Sequence, residues 1–410
     1  MIAVALLILA GAVYGVIKWR EATRPVAAAW ASPPRPAPGL PSGGLAHTCV
    51  ITEAGTILCW GSSELGQLGD TVGAPTGVPC AVCTHGTFTQ LDAGDNHTCA
   101  RTTQGAVMCW GANYRGQLGS PTTTDCATGR GRYACSVLPL TAPVEDAALV
   151  AAGAEHSCAL LADSTVACWG GAHRGQLGVT SLARGQTIAH VAKRFRFTTI
   201  AAGAYHSCGI MPDGGIQCWG WNARGQLGAM TRQLCGPTVQ SRTPCGAEPA
   251  PVASDFRFRA VATGEGHTCA VTLDGQAYCW GANDQGQLGR GSQDSGLVPV
   301  AVAGGQRYTA LAAGARFTCA LDADGGVWCW GSNAQGQLGT GSDSSTSLIP
   351  VRLSLGIRAL SIGAGANHAC AVVEGSRAFC WGAGSAGQLG NGRTANSRVP
   401  VEAGVDRAAR

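Results

Sequence analysis

The sequence predicts an all-β fold, a closed seven-bladed β-propeller of four-stranded antiparallel blades. Three observations lead there. One unit of about 50 residues recurs seven times, every unit reads as short strands joined by tight turns, and paired cysteines fix the register of one hairpin per unit. The first cysteine of the unit falls at Cys49, Cys99, Cys158, Cys208, Cys269, Cys319 and Cys370, with successive spacings of 50, 59, 50, 61, 50 and 51 residues, so two units carry insertions. Trp60, Trp110, Trp169, Trp219, Trp280, Trp330 and Trp381 mark the same units, and each is followed six residues later by Gly-Gln-Leu-Gly.

Within a unit the elements follow in order. Two short apolar runs, such as residues 298–302 and 308–312, precede a hairpin built of two more, which makes four strands. In unit five a three-residue loop of Leu273, Asp274 and Gly275 pairs Thr272 with Gln276 and sets Cys269 opposite Cys279. Opposed residues share a face about 5 Å apart at Cα, a distance a disulfide spans. The same register sets Ala270 against Tyr278 and Thr268 against Trp280. Small residues meet large ones again at Ala320 and Trp328, and at Ala371 and Phe379, as stacked sheets require. The array ends after residues 399–401, one strand into a further unit, and begins near Leu40 without that strand. The C-terminal strand is therefore expected to complete blade one and remove the open edges.

Composition agrees with a large core. Among 410 residues there are 61 glycines, 20 cysteines and 11 tryptophans with only 13% charged residues, which excludes disorder driven by charge. A net charge of +4, from 28 basic and 24 acidic residues, is too mild for a dedicated nucleic-acid binder, so no nucleic-acid partner is expected.

The combination of small-Gly-x-x-His, a hairpin ending in Trp-Gly, and Gly-Gln-Leu-Gly resembles the regulator-of-chromosome-condensation repeat family. The resemblance covers residues from about 40 to 405. Proteins similar in these motifs include a nuclear guanine-nucleotide exchange factor, a plant ultraviolet-B photoreceptor, ubiquitin ligases and a secreted bacterial inhibitor of β-lactamase. What the resemblance implies is a disc whose loops hold another protein. This chain departs from the family by placing cysteine at both facing strand positions in every unit, which fits a bacterial exported type better than the intracellular members. The segments Gly203-Ala-Tyr-His206 and Gly264-Glu-Gly-His267 lack the tryptophan and arginine cluster that a photoreceptor would need, and no wedge loop of an exchange factor is visible.

Fourteen cysteines form seven hairpin pairs: Cys49–Cys59, Cys99–Cys109, Cys158–Cys168, Cys208–Cys218, Cys269–Cys279, Cys319–Cys329 and Cys370–Cys380. The remaining six pair most simply as Cys80–Cys83, Cys126–Cys135 and Cys235–Cys245, although other connectivities are open. No cysteine is left over, which points to an oxidising compartment. Zinc is the alternative for Cys80-x-x-Cys83 with His85 nearby, but a structural site needs four ligands and no second pair is offered. Nor does that motif open a helix, as a thioredoxin-like redox pair would.

Residues 1–17 carry no charge and read, within a segment 1–24, as a signal anchor or transmembrane helix. Residues 25–41 form a proline-rich linker, and residues 42–410 the propeller. Lys18, Arg20 and Arg24 would by the positive-inside rule hold the propeller in the cytoplasm. The cysteines oppose this, and they carry the expectation of a propeller tethered in the periplasm or outside the cell, with secretion after cleavage as the alternative.

No catalytic motif is present: there is no phosphate-cradling loop, no Gly-x-Ser-x-Gly elbow and no His-Glu-x-x-His. Asp322-Ala-Asp-Gly325 sits in a hairpin turn and lacks the remaining ligands of a calcium loop. His47, His97, His156, His206, His267 and His368 recur too regularly for a metal ring and read as structural hydrogen-bonders, with Phe317 in the seventh place. Gln67, Gln117, Gln176, Gln226, Gln287, Gln337 and Gln388 read as turn residues. Departures from the repeat are more informative. Before Gly-Gln-Leu-Gly, blades two, three and four carry Arg115, Arg174 and Arg224, accompanied by Tyr114, His173 and Trp221. Equivalent positions lie side by side, so these six residues form a basic, aromatic arc, next to the two cysteine-bearing insertions. Arginine and aromatics are the residues enriched at interface hot spots. The expected function is a protein-interaction module, monomeric, without metal or cofactor and not an enzyme. It would bind an acidic protein or glycan and touch the membrane only through its N-terminal segment. A secreted enzyme inhibitor and an exchange-factor-like regulator are the alternatives.

Overall fold

The computed structural model describes residues 40–70, 75–84, 86–182, 186–191, 193–356 and 358–405. These residues form seven antiparallel sheets, one per sequence unit. Blade five shows the plan: Phe258–Thr263 is innermost, followed by His267–Thr272, Ala277–Gly281 and, outermost, Gly296–Ala301. Its hairpin has the register that its cysteines demand. Cys269 faces Cys279, Ala270 faces Tyr278 and Thr268 faces Trp280. The paired cysteines are disulfide-bonded with Cα atoms 4.1 Å apart, and the other six blades repeat the bond at the expected positions. Directly after the tryptophan the ladder to the outer strand shifts between Cys279 and Gly281. Gly281 has φ 103°, and a Cβ there would lie 2.5 Å from the Gly266 carbonyl oxygen, so the Trp-Gly step admits no other residue.

The core lies between blades. Each disulfide packs against the tryptophan of the next blade: Cys269, Val271, Cys279 and Leu288 of blade five share a buried cluster with Ala320 and Trp330 of blade six. All seven repeat tryptophans are fully buried, each worth about 2–3 kcal/mol of apolar burial. The insertions of units two and four add a fifth strand. Thr124–Thr128 pairs with Gly131–Thr141, and Gln233–Cys235 pairs with Thr243–Pro251, and the resulting hairpins are held by Cys126–Cys135 and Cys235–Cys245.

Two expectations are corrected. The C-terminal strand Ser397–Glu402 does not complete blade one; it pairs with Ala378–Gly382 as the outer strand of blade seven. Blade one is complete without it, because Pro41–Gly43 serves as its inner strand. That strand is three residues long and contains proline and glycine, so it has no apolar signature. The ring closes by packing. Trp60, Val50 and Leu58 of blade one are buried with Cys370, Val372, Leu389 and Val405, and the Ala366 N–H donates to the Gly44 carbonyl at 3.0 Å.

The second correction concerns Cys80 and Cys83, which are free thiols and not a disulfide. Cys80 lies inside the outer strand Thr76–Ala81, opposite Cys59, and the extended chain continues through Val82, whose N–H donates to the Ile57 carbonyl. Cys83 lies beyond the strand, exposed at a bend, where its N–H donates to the Gly69 carbonyl at 2.8 Å. The Cys80 Sγ–H donates to the Cys59 carbonyl at 3.1 Å, and burial beside Asp70 pushes its pKa up to about 12. The anchor segment 1–24 and nearly all of the linker 25–41 lie outside the described residues. Among the described residues no helix is long and apolar enough to cross a membrane.

Candidate docking face

Two sets of turns share one face of the disc, and a buried relay fixes them. The His97 ring of blade two meets the Ser157 hydroxyl of blade three at 2.8 Å, and that hydroxyl donates to the Gln117 carbonyl at 2.9 Å. A carbonyl only accepts, so the hydroxyl proton is committed there and the imidazole must donate from Nε2. The Trp169 Nε1–H donates to the same carbonyl at 2.9 Å. The relay of histidine, hydroxyl, glutamine carbonyl and tryptophan recurs at six of the seven blade junctions, including the closing one, where Thr48 joins His368 to Gln388 and Trp60 donates to Gln388. Burial pushes His47, His97, His156 and His206 down to about 3, and His267 and His368 down to about 4, so all six are neutral. The glutamine side chain shapes the turn itself. The Gln117 Oε1 accepts the Arg115 N–H at 2.9 Å and so fixes the loop that presents Tyr114 and Arg115. The blade-six turn Asp322–Gly325 is likewise structural, since the Asp322 carboxylate accepts the N–H groups of Asp324 and Gly326.

On this frame the three arginines of the predicted arc sit at equivalent turns, and each reaches towards the following blade. The Arg115 guanidinium of blade two pairs with the Glu155 carboxylate of blade three at 3.5 Å, and the His173 ring lies 3.9 Å from the same carboxylate. The Arg174 guanidinium lies over the Tyr205 ring at 4.8 Å and the Trp221 ring at 5.2 Å, both of blade four, a cation–π cradle. Tyr205 is edge-on to both His173 and Trp221. Arg224 is exposed, its stem beside Gly266 of blade five. Burial pushes the His173 ring below the ordinary histidine range against the pull of Glu155, raises the Tyr114 phenol to about 12 and raises that of Tyr205. The arc is therefore not a row of bare cations: Arg115 is paired, Arg174 is stacked, and Arg224 is open.

The two insertions stand on this same face. Tyr133, on the blade-two hairpin, meets Tyr114 edge-on with ring centroids 6.1 Å apart. On the blade-four hairpin, Thr243 accepts a hydrogen bond from Arg174 Nη1 at 3.4 Å, and Cys245 is the strand partner of Trp221. The blade-two and blade-three turns thus lie between two disulfide-pinned hairpins. The blade-four hairpin also exposes large apolar side chains: Met230 is 90% exposed, Val239 72% and Leu234 56%.

Sequence reasoning missed Glu155, Tyr205 and Tyr133. The first two occupy the variable places of the small-Gly-x-x-His turn. The rule that picked out the arginines, departure from the repeat, would have found them there. The same places in other blades carry Asp95, Glu265 and Arg316, and Asp95 and Glu265 line the mouth of a central channel of about 540 Å³. Burial, with Glu265 and Glu155 adding like charge, pushes the Asp95 carboxyl up to about 6. Among the described residues no group of three or more histidine, cysteine, aspartate or glutamate side chains is placed to hold a metal ion.

The chain is 29% identical over 263 residues to the ultraviolet-B receptor UVR8 of Arabidopsis thaliana, a match covering 64% of this chain and 47% of the relative, so it spans about half the length of that relative. Among solved structures it superposes on human WBSCR16 with a TM-score of 0.71 and 21% identity, covering 85% of this chain and 93% of the other. It also superposes on a chain of the complex of Kap60 bound to yeast RCC1 (Prp20), with a TM-score of 0.72 and 22% identity, covering 85% and 83%. The RCC1-like domain matches residues 39–353, and regulator of chromosome condensation (RCC1) repeats match residues 360–388 and 376–407. With its seven repeats, relay-locked junctions and matched residues, the chain belongs to the family of RCC1-like domains.

Proposed function

We propose that this protein is a binding module that holds a protein partner on the face carrying the arginine and aromatic turns, and that it works in an oxidising compartment outside the cytosol. The observation that carries the first half is the convergence of Tyr114, Arg115, His173, Arg174, Tyr205 and Trp221 between two disulfide-pinned hairpins. In three consecutive blades the turn carries arginine, with Tyr114, His173 and Trp221 beside it, and arginine and aromatics are residue types that dominate interface energies. Rigid hairpins also lower the ordering cost of association. Yeast RCC1 (Prp20), whose structure this chain resembles, is bound to the protein Kap60 in its crystal structure. Nine disulfides, seven of them repeated between blades, support the second half, because the cytosol holds such thiols reduced. An apolar anchor at residues 1–17 belongs to the same proposal.

The test is site-specific photo-crosslinking in the producing cell. A photoreactive amino acid replaces Leu234, on the blade-four hairpin, or Leu273, at the hairpin tip on the opposite face; both are exposed. Discrete protein adducts from position 234 and none from position 273 are expected. Adducts from 273 alone, or from neither, would refute the docking face.

A further inference from the structure

The surface between the hairpins has a chemistry that selects its occupant. It carries the six arginines Arg115, Arg130, Arg132, Arg174, Arg232 and Arg242 against the three carboxylates of Asp95, Asp125 and Glu155. Arg130, Arg132, Arg232 and Arg242 are exposed, and apart from a marginal contact of Arg132 with the Asp125 carbonyl at 3.5 Å their positions face solvent. Among the neighbouring residues of the two hairpins Met230, Leu234, Val239 and Tyr133 are also exposed, so each brings apolar side chains beside its arginines. Each hairpin is held in shape by its own disulfide, and its base is paired to its blade, Cys135 with Ala112 and Cys245 with Trp221.

We propose that the two hairpins and the blade-two and blade-three turns between them form a docking strip for an acidic polypeptide segment that alternates carboxylates with aliphatic side chains. The proposal rests on the binding-module reading and names the partner's chemistry. Carboxylates meet the guanidinium groups, where bidentate pairing is available, and aliphatic side chains cover Met230, Leu234 and Val239. A sulfated glycan would satisfy the arginines and leave the apolar side chains in water, which favours polypeptide. A basic segment would be repelled by the surplus of arginine. Tyr114, Tyr133 and the Arg174 cradle give a rigid floor on which the segment loses little further entropy.

The experiment is fluorescence anisotropy with the full, disulfide-intact chain. The probes are a short fluorescein-labelled peptide of alternating Glu and Leu, its Gln–Leu counterpart, and a labelled sulfated heparin oligosaccharide. The Glu–Leu peptide is expected to bind, the Gln–Leu peptide about tenfold more weakly, and the attraction to fall with added salt. The triple variant R132S/R232S/R242S should weaken the Glu–Leu peptide about tenfold, L234S/V239S should weaken it several-fold, and R307S on the opposite face should leave it unchanged. All of these sites are exposed, so folding is not at stake, and thermal unfolding of each variant verifies this. Equal binding of the Gln–Leu peptide, undiminished binding by the triple variant, or binding of the oligosaccharide alone would overturn the proposal. If the crosslinks from position 234 persist while no acidic peptide binds, the docking face stands and the acidic, aliphatic occupant falls.

Discussion

At the residue scale, the junctions between blades depend on groups whose importance is only half visible in the sequence. The six histidines are recognisable as structural from their regular recurrence, but their partners are not, because two of the four members of the relay meet at a backbone carbonyl. One junction gives independent support. Blade six has Phe317 in place of histidine, and blade seven has Ala369 where the other blades have serine or threonine, and both are buried in one cluster. Histidine and hydroxyl are lost together. Converting the blade-five junction to that apolar form tests this coupling. His267→Phe alone should destabilise by about 1–3 kcal/mol through crowding against Thr318, and adding Thr318→Ala should recover at least half of the loss, measured by urea unfolding. Purely additive effects would contradict the coupling. The pH dependence follows with a definite sign. Folded imidazoles held at about 3 to 4 stay neutral where unfolded ones, at 6.5, take up protons. Stability is therefore full above pH 6.5 and falls as pH drops towards 4. The H267F/T318A variant should lose stability less steeply between pH 6.5 and 4, by at most about 1.4 kcal/mol per pH unit, and equal slopes would contradict the burial of a neutral ring.

At the element scale, strand register was the most legible feature, since a cysteine pair two positions from a histidine leaves no freedom over which residues face each other. Cys80 and Cys83 mark where spacing misleads: Cys80 turns onto its own blade and donates to the Cys59 carbonyl, while Cys83 stands exposed at the bend after the strand. The outer strands carry their own logic. Pro79, Pro139, Pro249, Pro299, Pro350 and Pro400 each occupy the same place, one before the residue that faces the second cysteine, and proline on an exposed edge blocks pairing with another chain. The disulfides divide into two classes by position. Cys208–Cys218 is buried at a blade junction, whereas Cys235–Cys245 holds only its hairpin. Replacing Cys235 and Cys245 with serine should free the amides of residues 233–245 to exchange while those of 206–221 stay protected. Replacing Cys208 and Cys218 should lower the melting temperature of the whole propeller, with a loss of about 2–3 kcal/mol. A global loss in the hairpin variant would show that the hairpin is part of the core after all.

At the scale of the whole molecule, seven repeats and a closed ring could be read from spacing alone, because a repeat that cannot bury its faces must stack and the stack must end or close. The manner of closure could not, since three residues of inner strand carry no periodic signal. The turns that carry the proposed docking face were legible in part for a related reason: repetition identifies what the fold needs, so what varies between repeats is open to another role. Arginine at the turns was found this way. The exposed apolar hairpin was not, because its residues stand in an insertion with no counterpart in other blades to compare. Central to all of this is the disulfide within each of the seven blades, on which the proposed oxidising compartment rests. Protein taken from its source can be denatured without reductant in the presence of an alkylating reagent and weighed intact, so that every free thiol, buried or not, is labelled. Two labels are predicted, on Cys80 and Cys83; labels on the seven blade pairs would contradict both those disulfides and the compartment.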